Sequence, residues 1–316
     1  MLCVMVQEKN SLSQQNNKAL CCVTTQTVVV ILAAGKGTRM GRADMAKVCF
    51  EIDGIPAINR TIRTFRSLGY ERFVLVVGNQ SEQVQETVNA EHSGVVYVYQ
   101  SPQLGTGHAA RVAADALSAL GYQGNVLVAM GDKFIEPEAI AALRDGFIRQ
   151  NADMALLSIP HTKTTLSGGG RIFVDDAGQA LAIIEKTDLA RQAIVDTLKQ
   201  KLTKSRSVPV KELEDCIQQH LPVAREQVLA VPDLVEMAHT GKPISRKKLE
   251  ALLNAASYTL RVGSTSYTAA QIEHGCKSVN PSLYYFKTDA FYYSVGCLKN
   301  DNAKGEYYLT DVVKHL

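Results

Sequence analysis

The chain has 316 residues and a formal net charge of only +3, with 34 Lys plus Arg against 31 Asp plus Glu, a balance that excludes a strongly basic nucleic-acid binder. Hydrophobic residues make up 46% and charged residues 21%, which supports a buried core and argues against broad disorder. The length suggests more than one packed unit, and the longest apolar run, Val28 to Ala34, covers barely a third of the roughly 20 residues a membrane-spanning helix needs, so no contact with a membrane is expected.

Residues 1–26 lack the basic start, apolar middle and small-residue cleavage site of a secretory signal. They carry Gln14-Gln15-Asn16-Asn17 where an apolar stretch would belong, and read as a mobile, mostly solvated tail. The cysteines at 3, 21, 22, 49, 216, 276 and 297 include no Cys-x-x-Cys spacing and have no His cluster beside them, so neither a zinc site nor a disulfide framework fits. Reduced thiols and a cytoplasmic location are expected.

From residue 27 to 187, short β-branched runs alternate with helical periodicity, the signature of parallel βαβ units. Strands are expected at Val28–Ala33, Phe73–Val77, Val95–Tyr99, Val126–Met130 and Met154–Ile159. Between them, Ile58, Ile62, Phe65 and Leu68 share one helical face, stopped by Gly69. A second helix is expected from about His108 to Leu120, and a third after Pro137 with Ile140, Leu143 and Ile148 inward. Arg171–Val174 and Leu181–Ile184 flank a turn and predict a hairpin. The stretch 188–275 loses its strand signals, carries Ile194, Leu198 and Leu202 at helical spacing, and offers Ser245 as a cap for a helix with Leu249, Leu252 and Leu253. It reads as a mainly helical insertion. At 276–316 the α/β core returns, with a strand at Leu283–Phe286 and a helix from Asp289. The expected fold class is α/β: an open, doubly wound, mostly parallel, Rossmann-like sheet with helices on both faces. Ligands belong beyond the carboxyl ends of its strands.

Three segments at such strand ends carry candidate chemistry. The first is Leu32-Ala33-Ala34-Gly35-Lys36-Gly37-Thr38-Arg39-Met40, followed by Lys47. A Gly-x-Gly turn after a buried strand lets backbone N–H groups approach a phosphate. A Walker A loop is excluded because Gly41 is followed by Arg42-Ala43, and the dinucleotide fingerprint because its third glycine would fall on Met40. A phosphate cradle remains, with Lys36, Arg39 and Lys47 as its cations. The second segment runs from Gln100 to Ala109. The Gln103 amide, one acceptor and two donors, suits a pyrimidine edge, and Gly105 and Gly107 let a base lie against the backbone. The third is Gly131-Asp132, a carboxylate at a strand end suited to magnesium.

These pieces resemble the sugar-1-phosphate nucleotidyltransferases, most of all the uridylyltransferase domain of the bacterial bifunctional N-acetylglucosamine-1-phosphate uridylyltransferases. The resemblance continues through Gly169-Gly170-Arg171-Ile172, Ile184-Glu185-Lys186, Val279-Asn280 and Asn302 to Asp311, covering about 27–186 and 279–313. It implies that Leu32, Ala33 and Gly35 border the nucleotide, that Arg39 and Lys47 hold phosphates as the catalytic pair, and that Gln103, Gly105 and Thr106 read uracil. It further implies Asp132 as the Mg2+ ligand and Gly170, Glu185, Asn280 and Thr310 as the lining of an amino-sugar pocket. The implied reaction joins UTP and a sugar 1-phosphate to give a UDP-sugar and pyrophosphate, with no nucleic acid involved. A sugar 1-phosphate is already anionic near neutral pH, so its attack on the α-phosphorus needs no protein base.

Three features depart from the family. Lys133-Phe134 follows Asp132 in place of a small or apolar residue and a proline. No counterpart of an additional metal ligand is assignable before Leu316, and residues 188–275 separate Glu185 from Asn280. That insertion fits a lid, a contact surface or a spacer equally well. Rival readings are a catalytically weak or inactive sugar-nucleotide-binding regulatory protein and a thymidylyl- or cytidylyltransferase for another sugar or alcohol phosphate that shares the same loop.

Overall fold

The computed structural model describes residues 2–6 by their backbone, and residues 24–35, 37, 45–162, 169–175, 177–241, 243–255 and 258–316 in full. Ten strands build the main sheet: β1 (Leu2–Val6), β2 (Thr27–Leu32), β3 (Arg72–Val77), β4 (Val95–Tyr99), β5 (Asn125–Met130), β6 (Met154–Pro160), β7 (Arg171–Val174), β8 (Ala180–Ile184), β9 (Ser278–Val279) and β10 (Tyr284–Lys287). Their order is β8-β7-β9-β6-β10-β5-β2-β3-β4, with β1 paired to β6. β2, β3, β4 and β5 run parallel, and β10 lies antiparallel between β5 and β6. The helices are α1 (Ala57–Ser67), α2 (Ser81–Asn89), α3 (Thr106–Ala119), α4 (Pro137–Gln150), α5 (Lys186–Lys204), α6 (Val210–His220), α7 (Ala224–Ala230), α8 (Pro232–His239), α9 (Arg246–Leu253), α10 (Ala269–Gly275) and α11 (Thr288–Gly296).

The three layers follow from the alternation of side chains along β2. Val28, Val30 and Leu32 pack with Ala110 and Ala113 of α3 and Phe291 of α11. Val29, Ile31 and Ala33 pack with Ile58 and Ile62 of α1, Val84 of α2 and Leu143 of α4. All six residues of β2 are buried, as a parallel strand covered on both faces requires. Each such aliphatic side chain removed from water contributes about 1.5–3 kcal/mol, so this central strand is firmly held. The open, doubly wound α/β reading is thereby borne out.

Several details differ from the sequence reading. Part of the expected tail, Leu2–Val6, pairs in antiparallel register with β6 from Leu2↔Ser158 to Val6↔Met154; its apolar run fits a strand better than a solvated segment. Helix α2 was not anticipated, because only Val84 and Val88 mark its buried side. Phe147 joins Ile140 and Leu143 on the fully buried face of α4, since a step of four from Leu143 keeps helical register, while Ile148 packs against the same cluster partly buried. Helix α3 begins at Thr106 rather than His108. Ser245 does precede α9 but makes no side-chain cap.

Residues after Glu185 leave the sheet. Ile194, Leu198 and Leu202 of α5 share an apolar cluster with Leu213 of α6, Leu234 of α8, and Leu249 and Leu253 of α9. Helix α10 returns the chain to the sheet, with Ile272 packed among Ala182, Ile184 and Leu189. Among the described residues no helix is long and apolar enough to cross a membrane.

Candidate active site

The chain runs from β2 outward to β3 and β4 and then returns to β5 on the other side of β2, so strand order reverses between β2 and β5. Open α/β sheets bind ligands beyond the carboxyl ends at this point. Two adjoining clefts of about 310 and 290 Å³ lie there, at the lower end of the range for small-molecule sites. Gly131 N–H donates to Leu32 O at 3.0 Å, which ties the turn carrying Asp132 to the end of β2.

The first cleft is lined by Leu32, Ala34, Gly35 and Gly37 from the loop after β2 and by Gln103, Gly105 and Thr106. Ala33 is buried and turned to the opposite layer. Lys36, Thr38 and Arg39 lie outside the described residues. Gly37 has φ of +59°, and a Cβ there would come within 3.1 Å of Lys47 Cβ, so the loop closes onto Lys47. The Gln103 amide nitrogen donates to Ala34 O at 2.6 Å. That carbonyl fixes the orientation of the amide and leaves Gln103 Oε1 buried without a hydrogen-bond partner among the described residues. Gly78 makes this arrangement possible, for a Cβ on it would stand 2.5 Å from Gln103 Nε2. It follows β3 directly, and position alone could have flagged it.

The far wall of this cleft is a docked pair of segments. Gly107 N–H donates to Tyr307 O at 2.7 Å, and Tyr307 N–H donates to Leu104 O at 2.8 Å. Leu309 N–H donates to Thr106 Oγ1 at 3.2 Å. Gly105, with φ of +104° and ψ of 177°, holds the close approach, since a Cβ there would sit 2.6 Å from Tyr307 O. His108 is a structural residue: its Nδ1 lies 3.0 Å from the Gln100 amide nitrogen, and burial pulls its pKa below the ordinary value.

The second cleft brings together Asp132, Gly170, Glu185, Asn280 and Thr310, and adds Lys133, Lys304 and Tyr308, which the sequence reading had not proposed as lining. Thr310 Oγ1 donates to Glu185 Oε1 at 2.9 Å. Burial pushes the Glu185 carboxyl above its ordinary value, opposed by the Thr310 hydroxyl and the Lys304 ammonium. Asn280 N–H donates to Gly170 O at 2.9 Å, its side-chain amide donates to Tyr284 OH at 2.6 Å, and its Oδ1 accepts from Ser282 N–H at 2.8 Å. The two clefts share Thr106, Met130 and Glu306. Beside that seam the Lys47 ammonium pairs with Asp132 Oδ2.

Lys133 turns toward the loop after β9. Its ammonium donates to Pro281 O at 3.0 Å and to Ser282 Oγ at 3.1 Å. Burial lowers its pKa, while Asp132 and Glu185 pull it back up. The cation that departs from the family pattern is thus a tie between the two sides of the second cleft.

The comparisons with known proteins agree with this geometry. The sequence matches the MobA-like NTP transferase domain over residues 29–207, more than half of the chain. The chain belongs to the MobA-like NTP transferase family. It is 31% identical over 273 residues to the bifunctional protein GlmU of Geotalea daltonii, an alignment covering 77% of this chain and 57% of that protein. It is 39% identical over 163 residues to the bifunctional protein GlmU of a Synechococcus species, covering 51% of this chain and 35% of that protein. The alignments thus span from about a third to little more than half of the length of these curated relatives. A solved inositol-1-phosphate CTP transferase from T. maritima shares the fold at a TM-score of 0.51 and 12% identity, over 92% of this chain and 81% of that one. The likeness to sugar-1-phosphate nucleotidyltransferases is borne out, and the chemistry of this NTP transferase is nucleotidyl transfer.

Proposed function

We propose that this MobA-like NTP transferase is a uridylyltransferase that joins UTP to a sugar 1-phosphate, with N-acetylglucosamine 1-phosphate as the sugar substrate. The observation that carries the choice of UTP over CTP is the orientation of Gln103. Its nitrogen is committed to Ala34 O, so on this cleft-lining residue the amide atom left without a partner among the described residues is an acceptor, the buried Oε1. Uracil presents an N3–H donor at its pairing edge, whereas cytosine presents a lone pair there. An acceptor meeting the wrong edge leaves two buried polar groups unpaired, at a cost of about 1–3 kcal/mol each.

On this reading the first cleft takes UTP and the second the amino sugar. Glu185 accepts from sugar hydroxyls, Asn280 and Gly170 face the acetamido side, and Thr310 holds Glu185 in place. The sugar phosphate meets the α-phosphorus at the seam, beside which Lys47 neutralises charge gathering on the departing pyrophosphate; Arg39, outside the described residues, keeps the same role from the sequence. Lys36, Thr38 and the Gly35–Gly37 backbone belong to the same phosphate cradle.

A divalent cation fits Asp132. Its carboxylate is a hard oxygen donor at the seam, with a side-chain exposure of 19%. No group of three or more His, Cys, Asp and Glu converges among the described residues. One carboxylate completed by substrate phosphates and water is a common way to hold Mg2+. When bound, such an ion would supply further neutralisation of the phosphates. A cytoplasmic location belongs to the same proposal, since nucleoside triphosphates are its substrates.

The test is pyrophosphate release from UTP, CTP or dTTP with N-acetylglucosamine 1-phosphate, with Mg2+ or with chelator. Release that is fastest with UTP and abolished by chelator is the expected result. A preference for CTP refutes the uridylyl assignment. Release from no triphosphate favours the rival, a sugar-nucleotide-binding protein without turnover.

A further inference from the structure

One residue of the first cleft comes from outside the α/β core. Arg225, on α7 of the helical segment, lines the same cleft as Gly35 and Gly37. We propose that Arg225 binds the β- and γ-phosphates of the incoming nucleoside triphosphate, so that the helical insertion supplies part of the substrate site. This rests on the reading above that the first cleft takes a nucleoside triphosphate.

Three observations carry it. First, the backbone that presents Arg225 is pinned: Gln227 Nε2 donates to Leu221 O and to Gln218 Oε1, both at 2.7 Å, and Ala230 is buried in the insertion's apolar cluster. Second, Arg225 is exposed and makes no ion pair or hydrogen bond with a described residue, although Glu306 lines the same cleft. A guanidinium without a partner, facing a polar cleft, matches a polyanion bidentately. Third, the insertion is fastened to the core next to this cleft. Asp188 Oδ1 accepts from Ala303 N–H at 2.9 Å, and Ala303, 1% exposed, sits in the insertion's cluster three residues before Glu306. The base side of the cleft already has its polar group in Gln103, which leaves the phosphates as the part of the nucleotide that a free cation would serve.

The experiment is calorimetric titration of the full chain and its R225A and R225K variants with UTP and with UMP. R225A should weaken UTP about ten- to hundredfold, the range for a charge-assisted hydrogen bond, and leave UMP binding unchanged; R225K should recover part of the loss. Equal UTP affinity in wild type and R225A overturns the role of Arg225 while leaving the nucleotide site standing. Equal losses for UTP and UMP also overturn it, since they place Arg225 at the nucleoside or α-phosphate that the two ligands share. A wild-type chain that binds neither ligand refutes the site assignment, and this proposal with it.

Discussion

Gly105→Ala perturbs the point where the fold and the candidate site depend on each other most directly. Gly105 occupies a backbone region that is essentially closed to other residues, with φ of +104° and ψ of 177°, and forcing alanine into it costs about 1–3 kcal/mol. The added Cβ would also meet Tyr307 O at 2.6 Å and Glu306 Cβ at 2.9 Å. Relieving those contacts moves the 306–307 segment and breaks the Gly107–Tyr307 and Tyr307–Leu104 hydrogen bonds, each contributing about 1 kcal/mol net. The sum is about 3–5 kcal/mol. Gly121→Ala is the matched control: φ there is +65°, and nothing lies within 4 Å of a built Cβ. It should cost only the left-handed backbone penalty of about 1–2 kcal/mol. Urea unfolding of both variants, followed by circular dichroism, reads the difference, and calorimetry with UTP should show that only Gly105→Ala weakens the nucleotide. If Gly105→Ala unfolds no more easily than Gly121→Ala, the docking of 306–307 against 104–107 does not hold this wall.

Lys47→Ala and Asp132→Asn should each lower turnover by about 10²–10³-fold. Thermal melting should barely move, because the pair is solvent-exposed at side-chain values of 43% and 19%, and such pairs are worth less than about 1 kcal/mol. Near-normal pyrophosphate release in either variant contradicts the assigned roles. Burial holds the Glu185 carboxyl above its ordinary value of 4.5, so its protonated form stabilises the fold fully below that pH, and the contribution is lost as pH rises through the elevated value. E185Q should therefore flatten the decline of the urea midpoint above about pH 4.5, with Asp188, raised by burial in the same way, responsible for the slope that remains; parallel profiles would count against a buried carboxylate at 185. Gln103→Ala should reduce the preference for UTP over CTP about tenfold while slowing the preferred reaction less, as expected for loss of one discriminating hydrogen bond. An unchanged ratio removes the base-reading role.

The inner parallel strands β2, β3 and β5 were legible because they are buried on both faces, so that runs such as Val28 to Leu32 and Phe73 to Val77 stand out against their flanks. Helix α2 and strand β1 were not. The first buries only Val84 and Val88, and the second is five residues within a segment otherwise rich in polar side chains. The site divides in the same way. Gly37, Gln103, Gly105 and Asp132 each follow a parallel strand of the main sheet, a place where local sequence already points to a ligand. The Glu185–Thr310 contact joins residues 125 positions apart, and only likeness to relatives suggested that pairing. Arg225 has no local signal at all, since its neighbours are those of an ordinary surface helix and its position is set by how the helical segment packs.

Strand β10 has a consequence for biosynthesis. Tyr284, Tyr285 and Phe286 are at most 1% exposed and occupy the gap between β5 and β6, yet they are translated more than 120 residues after β6. Until they emerge from the ribosome, two neighbouring strand edges lack their partner and a band of apolar surface stays wet, a state prone to pairing with other chains. The nascent protein should therefore need chaperone cover while the residues between β6 and β10 are made, and shortened chains ending before residue 284 should collect as insoluble material.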